Sequence, residues 1–66
     1  MTMTIQQALS TVLARQDLSS ADMQAVMTSI MQGEVTPAKI AGFIVALRMK
    51  GESVDEIAAA AQVMRN

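Results

Sequence analysis

Asp55 and Glu56 are adjacent carboxylates, the residue type that general acid–base catalysis or a hard metal ion would use. The chain has no histidine and no cysteine, so it has no imidazole proton shuttle, thiol nucleophile or zinc ligand set to accompany them. The glycines at 33, 42 and 51 stand too far apart to cradle a phosphate, and neither a G-x-G-x-x-G nor a Walker sequence occurs. Both carboxylates fall in the first turn of an expected helix, where negative charge offsets the positive helix end. That stabilising role is the reading adopted here. No catalytic, cofactor-binding or metal-ligating residue is assigned.

The remaining candidates are weaker. Met23, Met27 and Met31 recur at every fourth position, a stripe that could form an adaptable binding surface but is read as core filler. Arg15, Lys39, Arg48, Lys50 and Arg65 are scattered rather than massed, and the net charge is −1 with a pI near 5.0. Such a balance gives no electrostatic reason to expect nucleic acid or an anionic membrane as partner. A helix-turn-helix reading would send the third helix into a DNA groove, yet that helix has almost no polar side chains with which to read bases.

The elements that carry these residues are marked by their caps. Apolar residues make up 52% of the chain, Phe43 is the single aromatic, and Ala, Met, Leu, Val and Ile supply the rest. This composition favours helix over strand. Thr4 with Gln7 has capping-box spacing, and Ile5, Ala8, Leu9, Val12 and Leu13 follow at helical intervals, with Arg15 expected in the last turn. Ser19 is the expected cap of the second helix, with Leu18 and Met23 as a staple around it and Gly33 as its stop. Thr36 and Pro37 open the third helix, and Gly51 closes it. Ser53 with Glu56 makes a second capping box, followed by Val54, Ile57, Ala58, Ala61 and Val63 or Met64. The fold class is therefore all-α: a compact bundle of four short helices, at about 4–15, 20–32, 37–50 and 54–65, forming one helical domain over 1–66.

The third helix carries more apolar surface than a small domain needs. On a helical projection Ile40, Phe43, Ile44 and Leu47 share one face, while Ala41, Val45 and Met49 form a second, with Gly42 and Ala46 as a smooth strip beside it. Arg48 and Lys50 are placed at the margins with their heads in water. A chain of this length buries only about 60% of its unfolded surface, so three short siblings rarely cover such a helix completely. The candidate interface comprises Ile5, Leu9 and Val12 of the first helix and Ala41, Gly42, Val45, Ala46 and Met49 of the third.

The stretches "GEVTPAKIAGF", "ALRMKGES" followed by "DEIAAAA", and the closing "MR" resemble the N-terminal helical domain of the anthranilate phosphoribosyltransferase family. The resemblance covers nearly the whole chain and is weakest before Leu18. The pyrimidine-nucleoside phosphorylases share the domain more distantly, and Arg48 and Met49 ahead of "KGE" are more similar to the transferase branch. The resemblance implies a cytoplasmic tryptophan-pathway enzyme that joins anthranilate to the ribose phosphate of phosphoribosyl pyrophosphate with Mg2+. It also implies that a large C-terminal α/β domain holds the catalytic and magnesium-binding residues, and that the small domain helps form a homodimer and one wall of the cleft. On this reading the chain is the N-terminal fragment of a two-domain enzyme, inactive by itself, and pairs through its first and third helices. The same domain of a nucleoside phosphorylase and a stand-alone helical interaction module are the alternatives. Neither membrane nor nucleic acid is expected as a partner.

Overall fold

A computed structural model describes residues 3–65. Its elements are α1 (Ile5–Leu13), α2 (Ser20–Met31), α3 (Pro37–Lys50) and α4 (Val54–Arg65), an all-α bundle as the sequence predicts. The Cα radius of gyration is 10.5 Å, close to the roughly 10.8 Å expected of a single folded domain this long. α1 packs chiefly on α3 and α2 on α4, with a smaller contact between α1 and α2.

The predicted caps are in place. The Thr4 hydroxyl accepts from the Gln7 N–H at 3.2 Å while the Gln7 side chain accepts from the Thr4 N–H at 3.0 Å. Ser19 accepts from the Asp22 N–H at 3.1 Å, and Thr36 from the Lys39 N–H at 3.4 Å. Gly33 takes φ +75° and closes α2 by donating to the Ile30 carbonyl, while the Glu34 N–H reaches Ser29. These two bonds are the paired closure of a Schellman motif.

α1 ends sooner than expected. Its last helical residue is Leu13, and Arg15 lies beyond the helix with φ +61°. Arg15 donates to the Val12 carbonyl and Gln16 to the Thr11 carbonyl, the same closure that Gly33 makes on α2. The expected placement of Arg15 in the last turn is therefore corrected: it fills the left-handed position after the cap, which no glycine marks in this sequence.

The core holds Ala8 and Val12 of α1, Met23 and Val26 of α2, Phe43, Ala46 and Leu47 of α3, Ala59 of α4, and Leu18 from the first link. Met3, Ile5, Leu9, Met27, Ile30 and Ala60 pack around it. The staple pair Leu18 and Met23 is thus inside. The methionine stripe is core only in part: Met23 is buried and Met27 half-buried, whereas Met31 is exposed.

α4 presents a different face from the one its apolar spacing suggests, and both α3 and α4 turn a charged residue inward. The inward stripe of α3 is Phe43, Ala46, Leu47 and Lys50, the last with only 4% of its side chain exposed. Ile44, grouped by spacing with Phe43 and Leu47, is 50% exposed. The inward stripe of α4 is Glu56, Ala59, Ala60 and Val63, with Glu56 wholly buried. Val54 and Ile57, expected inside, are 82% and 53% exposed. Both stripes keep the 0, 3, 4, 7 spacing of a helix face, but each contains a charged residue, which apolar periodicity passes over. Lys50 and Glu56 enter the interior together, beside the apolar members of both stripes.

Candidate functional site

Two features stand out: a buried charge cluster and an uncovered helix face. The cluster begins with Ser53, whose hydroxyl accepts from the Glu56 N–H at 3.1 Å while Glu56 Oε1 accepts from the Ser53 N–H at 2.9 Å. This is the predicted capping box. It does not stand alone. Glu56 Oε2 accepts from the Leu18 N–H at 2.6 Å, and Glu56 Oε1 accepts from Lys50 Nζ at 2.8 Å. Lys50 Nζ also donates to Asp17 Oδ1 at 2.7 Å and to the Gly51 carbonyl at 2.8 Å, so its three protons all have partners. The expectation that the Lys50 head stays in water is overturned, because Glu56 and Asp17 replace its hydration shell.

Burial by itself pushes the Glu56 carboxyl up, but the Leu18 N–H, the Lys50 ammonium and the Ser53 N–H outweigh it and hold the group below its ordinary value. Burial pushes the Lys50 amine down, and its bonds to Asp17 and Glu56 outweigh that and raise it. Both groups are thus held in their charged forms. A general acid or base is tuned the other way, toward exchange of its proton near neutral pH. Glu56 thus fills the helix-terminus role read for it from sequence and in addition bonds Lys50 and Leu18. Its oxygens are already occupied, and among the described residues no three acidic side chains converge as metal ligands.

The uncovered face belongs to α3. Ala41, Gly42, Ile44, Val45 and Met49 point outward, with Val45 56% and Met49 71% exposed, and Arg48 lies among them. A Cβ built on Gly42 would meet nothing within 4 Å. Of the residues expected to form an interface, Ala41, Gly42, Val45 and Met49 are on this face, while Ile5 and Leu9 are half-buried against the core. Val12 and Ala46 are only 1% and 5% exposed. Both side chains are used inside the domain, where Ala46 falls on the α3 stripe that turns inward with Lys50, and neither is available to a partner. Ile44, which the sequence grouped with Phe43 and Leu47, joins the outward face instead.

Comparison with known proteins gives this arrangement a family. Residues 6–66 match the model of the glycosyl transferase family, helical bundle domain. The chain belongs to this family. As a glycosyl transferase helical bundle domain it is similar to curated proteins named anthranilate phosphoribosyltransferase. That of Marinomonas sp. (strain MWYL1) is 59% identical over 64 residues, which are 97% of this chain and 18% of that protein. That of Teredinibacter turnerae is 62% identical over 63 residues, covering 96% of this chain and 18% of the relative. That of Thioalkalivibrio sulfidiphilus is 58% identical over 64 residues, again 97% of this chain and 19% of the relative. The helical bundle domain thus spans about a fifth of the length of the relatives it matches. No helix among the described residues is long and apolar enough to cross a membrane.

Proposed function

We propose that this chain is the helical domain of a cytoplasmic phosphoribosyltransferase of tryptophan biosynthesis, which transfers the phosphoribosyl group from phosphoribosyl pyrophosphate to anthranilate. The observation that carries the reading is 59% identity maintained over 97% of the chain to a protein of that name. The domain's part is architectural. It forms one wall of the substrate cleft and offers the outward face of α3, with the neighbouring surface of α1, to a second copy. The reacting groups and the ligands of the Mg2+ that such a reaction uses belong to residues outside these 66. No proton transfer is assigned to Asp55 or Glu56.

The test is a chimera in which this chain replaces the matching segment of the Marinomonas protein. With anthranilate, phosphoribosyl pyrophosphate and Mg2+, the chimera is expected to consume anthranilate fluorescence, while the 66-residue chain by itself does not. A folded chimera without turnover would overturn the proposal, and so would turnover by the short chain.

A further inference from the structure

α4 carries more apolar surface than the bundle covers. Beside its inward stripe runs a second one, Val54, Ile57, Ala61 and Met64, whose three- and four-residue spacing keeps it on a single helix face. Every member of this second stripe is exposed. Ile57, Ala61 and Met64, together with Ala60, border a recess of about 230 Å³ that Met23 of α2 and Leu47 of α3 complete. Glu52 and Glu56 supply its polar side. The Glu56 oxygens are already taken by Leu18, Lys50 and Ser53, so the free charge on the rim is that of the exposed Glu52. Two other depressions of the surface are larger, but Thr4, Thr28, Ser29 and Gln32 stand in the wall of one and Gln24 and Gln62 in that of the other. Water is well held by such hydroxyl and amide groups, whereas the recess against α4 has apolar walls that water covers poorly.

The position of the recess selects its occupant. The segment matched in the Marinomonas protein is 18% of that protein, and on the reading proposed for this chain the polypeptide runs on from α4 into the rest of the enzyme. Met64, in the last turn of α4, borders the recess, so the residues that follow leave the bundle beside it. A covalently tethered segment reaches a neighbouring site at a high effective concentration, whereas a second copy has to associate from solution.

We infer that the recess between α2, α4 and the end of α3 seats an apolar side chain from the C-terminal part of the same polypeptide, with a lysine or arginine beside it that pairs with Glu52. The inference rests on the reading of this chain as one domain of a longer enzyme. It gives α4 an occupant distinct from the second copy proposed for the outward face of α3.

Oxidation of the methionines by hydrogen peroxide, read residue by residue by mass spectrometry, tests this. Met64 and Met31 are similarly exposed, at 58% and 60%, while Met23 is buried, and oxidation follows exposure. The 66-residue chain at low micromolar concentration is compared with the Marinomonas chimera. Met64 is expected to oxidise about as fast as Met31 in the short chain and about tenfold more slowly than Met31 in the chimera. Met23 should be the slowest of the three in both, which reports that the bundle is folded. Ile57→Glu in the chimera should return Met64 to within about twofold of its rate in the short chain. An unchanged ratio of Met64 to Met31 in a folded chimera would overturn the inference, and so would protection that survives Ile57→Glu. Protection of Met64 in the short chain on raising its concentration would overturn it as well, because the occupant would then be a second copy. Turnover of anthranilate is read separately on the same chimera, so protection of Met64 without turnover would remove the proposed activity and leave this docking in place.

Discussion

At the residue scale, Glu56 is a carboxylate that looks like a helix cap in sequence and is the centre of a buried network in the fold. Its consequence is a defined pH window. The folded-state pKa of Glu56 lies below its ordinary 4.5, so its contribution is present above about pH 4.5 and is lost as pH falls through the lower folded value. Lys50 is raised above its ordinary 10.5, so its contribution is complete below that value and is lost as pH rises through the folded one. Between these limits the pair is fully charged. Glu56→Gln should cost about 3 kcal/mol at pH 7, measured by urea unfolding, because it removes the buried carboxylate from the Lys50 ammonium and from the Leu18 and Ser53 N–H groups. The variant should also lose much less stability than the parent chain on going from about pH 5 to about pH 3. A parallel pair of acid limbs would show that Glu56 does not control this window.

At the scale of the element, α3 shows how a helix can be both core and surface. Its inward stripe ends in a lysine, and its outward stripe carries Ile44, Val45 and Met49. Gly42 lies between the two in a helix interior, with helical backbone and open space above it. In the chain by itself no contact requires a glycine there, so Gly42→Ala should raise stability by about 1 kcal/mol through helix propensity alone. If a second copy lays its backbone against this strip, the same substitution should weaken association while strengthening the monomer. Thermal melts of dilute protein, paired with sedimentation of concentrated protein, separate the two effects. No stabilisation in the dilute protein would contradict the exposed, unstrained setting of Gly42.

The starts of the helices were legible because each cap is a contract between residues no more than three apart. Thr4 with Gln7, Ser19 with Asp22, Thr36 with Pro37, and Ser53 with Glu56 all stand where the sequence puts them. Arg15 was not legible, since a left-handed arginine leaves no mark in the composition. The rotation of α4 was misread, and that of α3 left open, for a different reason. Periodicity counts only apolar residues, and the decisive members of both stripes are charged.

At the scale of the whole molecule, the fold leaves large apolar side chains outside on both α3 and α4. Ile44, Val45 and Met49 on α3 and Val54, Ile57 and Met64 on α4 are each at least half exposed. On α3, Ile44, Val45 and Met49 share the outward face, and apolar surface gathered on one face favours association. The 66-residue chain is expected to self-associate at roughly 50 µM in sedimentation equilibrium. Val45→Asp or Met49→Asp should shift it toward monomer while changing stability by no more than about 0.5 kcal/mol, as is usual for exposed positions. A strict monomer at that concentration would remove the α3 face from consideration as a dimer contact.

The sequence by itself determined the helices, most of their caps and the family. Each of these rests on neighbours within one helical turn or on motifs read along the chain. Only the tertiary structure decided which way α3 and α4 face and that the carboxylate beside Asp55 is buried. The bond that makes the difference joins Glu56 to Leu18 across 38 residues. A charge enters a core only when its partners arrive with it, and no local pattern records which distant residues will meet.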